Sequence, residues 1–407
     1  MSSQSRVVPA AAEATENWRE RFGGAMMGAY GKPLALLVRG EGCYVWDENG
    51  KRYLDFLAGI AVNALGHAHP ALVDAVSKQV ATLAHVSNYY ATPPQLELAE
   101  RLLRLTGAGE AGRVFFGNSG TEAIEAGVKL ARLNRGGGQR QRILSLQNSF
   151  HGRTMGALSL TGKAALREPF EPLLPGIEHI DSSIEALEAA MDDTVAALFV
   201  EPIKGEAGVL DLPEGYLQRA RELTSTHGAL LILDEIQTGV GRTGTWFAFQ
   251  QHGIVPDALA LAKGIAGGVP IGALVTFGSA SELFTPGQHG STFGGNPLAT
   301  AAGNAVLGEI ERAGLIENAV VRGAQLRQMI TNLNSPLITE VRGQGLLIGL
   351  GLASPVAHPI VDAALERGLI VNAPNDSSIR IAPPLIIGDG ELAEFHELFV
   401  QALEAVK

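Results

Sequence analysis

Six short apolar runs constrain this chain more than any other feature. They are RVFFGN (113–118), RILSLQ (142–147), AALFVEP (196–202), ALLILDE (229–235), ALALA (258–262) and IGALVTF (271–277). Each is continuous rather than alternating, as expected of strands buried on both faces of a mostly parallel sheet. Segments of helical periodicity lie between them, among them TEAIEAGVKLAR (121–132) and EGYLQRARELTSTHG (214–228). Strand and helix in alternation is the βαβ rhythm, so the spacing predicts an α/β fold with helices on both faces of the sheet.

The flanks follow a different pattern. Residues 34–56 carry the hairpin signal Glu48-Asn49-Gly50 between alternating runs. Beyond residue 305, helical segments precede VRGQGLLIGLGL (341–352) and SIRIAPPLII (378–387). The expectation is a large domain over 66–304 and a smaller α+β domain built from both ends, 1–65 and 305–407. RGGGQR (135–140) reads as an exposed loop.

Charge and composition exclude several function classes. A net charge of −11 over 407 residues argues against nucleic acid or an anionic membrane as the main partner. No apolar run approaches the ~20 residues that span a bilayer. The opening MSSQSRVVPAAAEATENWRERF has no apolar signal core, and Glu13 and Glu16 count against a transit peptide. The single Cys43 fits a reducing compartment. These features predict a cytoplasmic protein.

Polar residues collect just past the ends of the apolar runs, where an open α/β sheet forms its ligand crevice. GNSGTE (117–122) opens a helix, and Ser119 and Glu122 fit a capping box. The same helix N-terminus, through Ser119, Gly120 and Thr121, could attract a phosphate, but the motif by itself favours the plain cap. LDEIQTGVGRTG (233–244) places Asp234 and Glu235 at the end of the strongest strand. Its Gly239, Gly241 and Gly244 spell G-x-G-x-x-G, which raises a nicotinamide-dependent dehydrogenase as an alternative. That fingerprint should pass directly from strand to helix, and here polar positions intervene and no helical pattern follows.

Lys263 stands between an apolar run and a glycine-rich turn, about one βαβ crossover after Asp234. Two such residues can reach one crevice from neighbouring strands, either as a salt bridge or as catalytic groups. In NSFHGRTMG (148–156), Phe150 and Arg153 offer a stacking ring and a guanidinium for a planar anionic ligand. HGSTFGGNP (289–297) supplies donors for phosphate, or a simple turn. His67 and His69 in GHAHP lack the further ligands of a metal site, and a turn into a helix at Pro70 is the better reading; no metal is expected.

Taken together, DFLAGIAVNALGHAHP, FFGNSGTEA, FHGRTMGALSLTG, EPIKGEAGV, LDEIQTGVGRTG, LAKGIAGGVPIGA, HGSTFGGNP and IRIAPPLII resemble the class-III, fold-type-I aminotransferases that use pyridoxal 5′-phosphate. The resemblance runs from about Gly31 to Ile387. Gly117, where many relatives have cysteine, and Thr121, often alanine, are minor departures. The resemblance implies the fold-type-I architecture and a homodimer with shared active sites.

It also implies roles for individual residues. Lys263 corresponds to the lysine that bonds the cofactor aldehyde and then shuttles a proton, and Asp234 to the partner of the pyridine nitrogen. Gln237 corresponds to the residue near the phenolic oxygen and Phe150 to the stacked aromatic. Ser119, Gly120 and Thr121 correspond to the phosphate cradle, and Thr292 to the threonine that reaches the neighbouring subunit's phosphate. Arg380 corresponds to the clamp for the α-carboxylate of glutamate, Glu206 to the acid that covers that arginine when an ω-amine is bound, and Arg153 to the holder of the distal carboxylate. The expected reaction passes the ω-amino group of N2-acetylornithine to 2-oxoglutarate, as in arginine biosynthesis. Ornithine-using relatives typically carry a tyrosine where this chain has Ile60, whose apolar surface suits an acyl group better. Succinylornithine, succinyl-diaminopimelate and 4-aminobutyrate stay open as donors, as does an isomerase of the same fold.

Overall fold

The computed structural model describes residues 17–406, so most of the opening segment lies outside it. A central sheet is built from β1 (Arg113–Gly117), β2 (Arg142–Leu146), β3 (Ile177–Ile180), β4 (Val195–Val200), β5 (Leu230–Asp234), β6 (Ala258–Leu261) and β7 (Gly272–Thr276). These seven strands stand in the order β1-β7-β6-β5-β4-β2-β3. All six apolar runs are strands of this sheet. Every residue of β4, β5, β6 and β7 is buried, which is why their sequences are continuous rather than alternating.

Two features of the sheet differ from a plain βαβ reading. β7 runs antiparallel to both of its neighbours, β6 and β1, while the remaining pairings are parallel. β3, with the sequence IEHI, is an additional edge strand, and its part-exposed, polar-containing pattern hides it among loops.

Helix α1 (Gly120–Leu133) follows β1 and buries Ala123, Ile124, Val128, Leu130 and Ala131 against the sheet. Helix α2 (Tyr216–His227) buries Tyr216, Leu217, Ala220 and Thr224 and ends at Gly228, whose φ of 66° suits a left-handed stop. GHAHP leads into the helix Pro70–Thr82, with the His69 side chain accepting from Ala71 N–H. His67 Nε2 sits 2.8 Å from Asp55 Oδ2.

The two ends of the chain meet in a second sheet. Leu37–Glu41, Tyr44–Asp47 and Arg52–Asp55 form an antiparallel meander, and Leu369–Ile370 pairs parallel with the last of these. The Glu48-Asn49-Gly50 turn joins Tyr44–Asp47 to Arg52–Asp55, and Asp47 Oδ1 accepts from Asn49 N–H and Lys51 N–H at 2.9 Å each. A third, antiparallel sheet takes Ile338–Gln344, Leu347–Leu352, Ser378–Ile381 and Asn372–Asn375 in that order. Among the described residues no helix is long and apolar enough to cross a membrane.

Candidate active site

β5 and β6 are parallel neighbours, with Asp234 in register with Ala260. Asp234 therefore ends one strand beside the strand that delivers Lys263. Both residues line a cavity of about 420 Å³ past the carboxyl ends of the central strands, with Ser119, Gly120, Thr121, Phe150, Arg153, Glu206 and Gln237. Residues from distant stretches of the chain thus converge because their strand ends do. The salt bridge considered for Lys263 and Asp234 does not form; Asp234 Oδ2 instead meets His151 Nδ1 at 2.7 Å, and Oδ1 accepts from Ile236 N–H at 3.1 Å.

Lys263 opens a short 3₁₀ turn with a φ of 44°. A left-handed backbone at a residue other than glycine costs of order 1–3 kcal/mol and persists only where the surroundings impose it. The desolvating walls push the Lys263 ammonium below its usual range, with Glu206 opposing that shift. The result is an amine nearer to its neutral, nucleophilic form.

At the other end of the cavity, Ser119 is the N-cap of α1 and its Oγ accepts from Glu122 N–H at 3.3 Å. The reciprocal arm of the expected capping box is displaced by one residue: Glu122 Oε2 accepts from Asn118 N–H at 2.6 Å rather than from Ser119 N–H. The N–H groups of Gly120 and Thr121 belong to the first turn, which has no intrahelical acceptors, so they and the helix dipole favour an anion. Gly272, at the start of β7, makes this packing possible, since a Cβ there would fall 2.0 Å from Ser119 O.

Asp234 and Glu235, adjacent in sequence, part company in the structure. Glu235 is buried away from the cavity wall and accepts from Ala248 N–H, Phe249 N–H and Thr238 Oγ1 at 2.7, 2.8 and 3.1 Å. Its work is to hold the loop after Gly244. The Gly239–Gly244 glycines lie in consecutive turns, and no helix opens from them as a dinucleotide site requires.

Two residues that the sequence did not single out belong to the site. His151 is buried against Asp234, and its Nε2 has no partner among the described residues. Burial pushes His151 down, but the bond to Asp234 outweighs that and raises its proton affinity above the usual range. Glu201, also on the wall, accepts from Phe150 N–H at 2.8 Å and is pushed up to about 7 by burial. The signal for His151 was its place beside Phe150 in FHG; only the fold shows what it faces.

Arg380 is 1% exposed and reaches the cavity through other groups. Its Nη1 donates to Glu206 Oε1 and, at 3.1 Å, to Gln237 Oε1. Burial raises Glu206, but the Arg380 guanidinium beside it holds that carboxyl below the usual carboxylate range. Arg153 is exposed at the cavity edge, its guanidinium 5.6 Å from the Phe150 ring centroid.

Thr292 and Ile60 are not brought to this cavity. Thr292 is exposed on the segment whose Ser291 Oγ accepts from Asn118 Nδ2 at 3.1 Å. Ile60 is 38% exposed with a φ of 67°, and Val62 is the apolar residue of that segment on the wall.

Comparison with known proteins agrees with this geometry. Residues 26–403 match the family model for aminotransferase class-III. The chain is 50% identical over 397 residues to an acetylornithine aminotransferase of Mycobacterium tuberculosis, covering 97% of each chain. A second acetylornithine aminotransferase, from Mycolicibacterium smegmatis, is 51% identical over 389 residues, 95% of this chain and 97% of that one. Among solved structures, the ornithine aminotransferase of Toxoplasma gondii superposes with a TM-score of 0.91 at 34% identity, covering 96% and 94% of the two chains. A full-length family match over a cavity that joins a strained lysine, a strand-end aspartate and a helix N-terminus leaves one assignment: this chain belongs to the class-III aminotransferases.

Proposed function

We propose that this enzyme transfers the ω-amino group of N2-acetylornithine to 2-oxoglutarate, giving N-acetylglutamate semialdehyde and glutamate. The observation that carries the reading is the paired Glu206–Arg380 gate on the same cavity as Lys263 and Asp234. A transaminase that alternates between glutamate and an ω-amine needs an arginine for one substrate and a cover for it with the other, because an unpaired buried charge is costly.

The residues present fit pyridoxal 5′-phosphate, the cofactor of this enzyme. Ser119, Gly120 and Thr121 would hold its phosphate at the N-terminus of α1, and Asp234 its ring nitrogen. Phe150 and Ile236 would flank the ring, Gln237 would meet its phenolic oxygen, and Lys263 its aldehyde carbon. When bound, the cofactor supplies an electron sink for the substrate carbon. Asp234 would set its carboxylate against the ring nitrogen, where unit charges at ~4 Å attract by about 4 kcal/mol at an effective dielectric of ~20. Lys263 Nζ, depleted of its proton by desolvation, would serve as the base that takes a proton from the amine-bearing carbon of the substrate. Arg153, at the mouth, would hold the distal carboxylate of either substrate.

The apolar surface for the acyl group would come from Val62 on the wall, with Ile60 outside it. Free ornithine brings a second ammonium towards that surface, and a poorly met polar group there costs ~1.4–3 kcal/mol. The expected result of a steady-state donor panel with 2-oxoglutarate is a kcat/KM for N2-acetylornithine about 10- to 150-fold above that for ornithine. Equal or better use of ornithine would transfer the assignment to an ornithine aminotransferase.

A further inference from the structure

The guanidinium of Arg380 offers five N–H donors in a fixed fork, and the structure accounts for them edge by edge. Nε donates to Asn372 Oδ1 at 3.0 Å. Nη1 is occupied by Glu206 and Gln237. Nη2 is buried and has no partner among the described residues. A carboxylate binds an arginine in two ways, side-on through Nε and Nη2 or end-on through Nη1 and Nη2. Nη2 is common to both, so the choice depends on which neighbour gives way.

The two neighbours are held differently. Asn372 sits directly across from Arg380 on the adjoining antiparallel strand, so the sheet fixes its position. Glu206 lies in the loop between Ile203–Lys204 and Leu210–Asp211, with its side chain 25% exposed on the cavity wall. Gln237 is seated over Gly205, where a Cβ would come within 2.1 Å of its Oε1.

We infer that Asn372 is a positioning residue that blocks the side-on edge of Arg380 and so forces the substrate carboxylate to compete with Glu206 for the end-on edge. The inference rests on the reading of Arg380 as the α-carboxylate clamp. It extends that reading by naming the residue that makes substrate and Glu206 mutually exclusive. Without Asn372, a carboxylate could settle on Nε and Nη2 while Glu206 stayed in place. The enzyme would then lose the exclusivity that separates its two substrates.

The test is a double-mutant cycle on the cofactor-loaded enzyme, reading the Kd of glutarate, an unreactive dicarboxylate, by calorimetry. In the native background Glu206→Gln removes the competitor and should tighten glutarate about tenfold. In Asn372→Ala the native Glu206 no longer competes, so glutarate should already bind more tightly and Glu206→Gln should change it by less than about twofold. Asn372→Asp keeps the acceptor on Nε but adds a second anion beside the arginine, and should weaken glutarate about tenfold while preserving the effect of Glu206→Gln.

Equal effects of Glu206→Gln with and without Asn372 would overturn the inference. Should Asn372→Ala not fold, Asn372→Asp decides, and native glutarate affinity in that variant overturns it. Arg380→Lys separates the two levels of the argument. Unchanged glutarate affinity there removes the clamp reading, and this inference with it. Weakened affinity there, without coupling between Asn372 and Glu206, removes only the role of Asn372.

Discussion

Lys263 combines three unusual properties at one position: a left-handed backbone, desolvation of its ammonium, and no carboxylate partner among the described residues. A lysine with only a structural task would be paired or would extend to water. Lys263→Ala is therefore expected to lower turnover by at least the ~10²–10⁴-fold of a lost acid–base group. Cofactor should still be retained through Ser119–Thr121 and Asp234, as dialysis followed by absorbance would show. Near-native multiple turnover in that variant, without added amine, would remove Lys263 from the reaction. The residue types here were legible because lysine after an apolar run and aspartate at a strand end are conspicuous. His151 was not, because its importance lies in the 2.7 Å to Asp234 Oδ2 across 83 positions of sequence. Glu235 is the converse case: an equally conspicuous strand-end charge whose partners are backbone N–H groups of a loop.

The strands deliver the chemistry because their ends are aligned. Asp234 ends β5, Lys263 follows β6, and the first turn of α1 follows β1. Continuous apolar runs announced the strands but not their direction, since a strand buried on both faces has the same composition either way. The connection from Leu261 to Gly272 is shorter than the dozen or more residues of a helical crossover, which turns β7 antiparallel. That turn brings Gly272 against the peptide of Ser119. Gly272→Ala should displace the N-cap turn at a cost of about 1–3 kcal/mol, as overpacking does. The loss should appear as weaker cofactor retention in equilibrium dialysis, with a smaller change in Tm. Undiminished retention would show that the turn can relax freely.

Over the whole molecule, several large apolar side chains are left exposed. Met27, Tyr89 and Phe293 are 85%, 92% and 60% exposed, and Phe293 adjoins Thr292. We propose that a second copy of the chain covers this surface and that Thr292 serves the partner's site; large exposed apolar patches mark such interfaces. Sedimentation should show a dimer that Phe293→Asp weakens, and a monomer at micromolar concentration with full activity would refute it. Stability should also carry a pH signature. Burial pushes Glu201 and Glu235 up to about 7, so folding binds protons there and the fold weakens as pH rises from about 4.5 towards 7. His151, raised by Asp234, acts in the same direction, its contribution present below its unfolded value and lost as pH rises through its folded one. Glu178 and Glu309 are lowered by Arg142 and Arg312, and lose their contribution as pH falls through the carboxylate range. Thermal unfolding of the cofactor-free protein should therefore peak on the acid side of neutrality, and Glu235→Gln should flatten the decline between about pH 5 and 7. An unchanged slope would place the Glu235 proton elsewhere. The α/β architecture, six of the seven central strands and the choice of Lys263 and Asp234 as candidate residues were legible in the sequence alone, because hydrophobic periodicity and strand-end polarity are local properties. The strained backbone of Lys263, the bond from His151 to Asp234 and the occupation of each edge of Arg380 were decided only by tertiary structure, because each depends on which distant segment packing brings within hydrogen-bond reach.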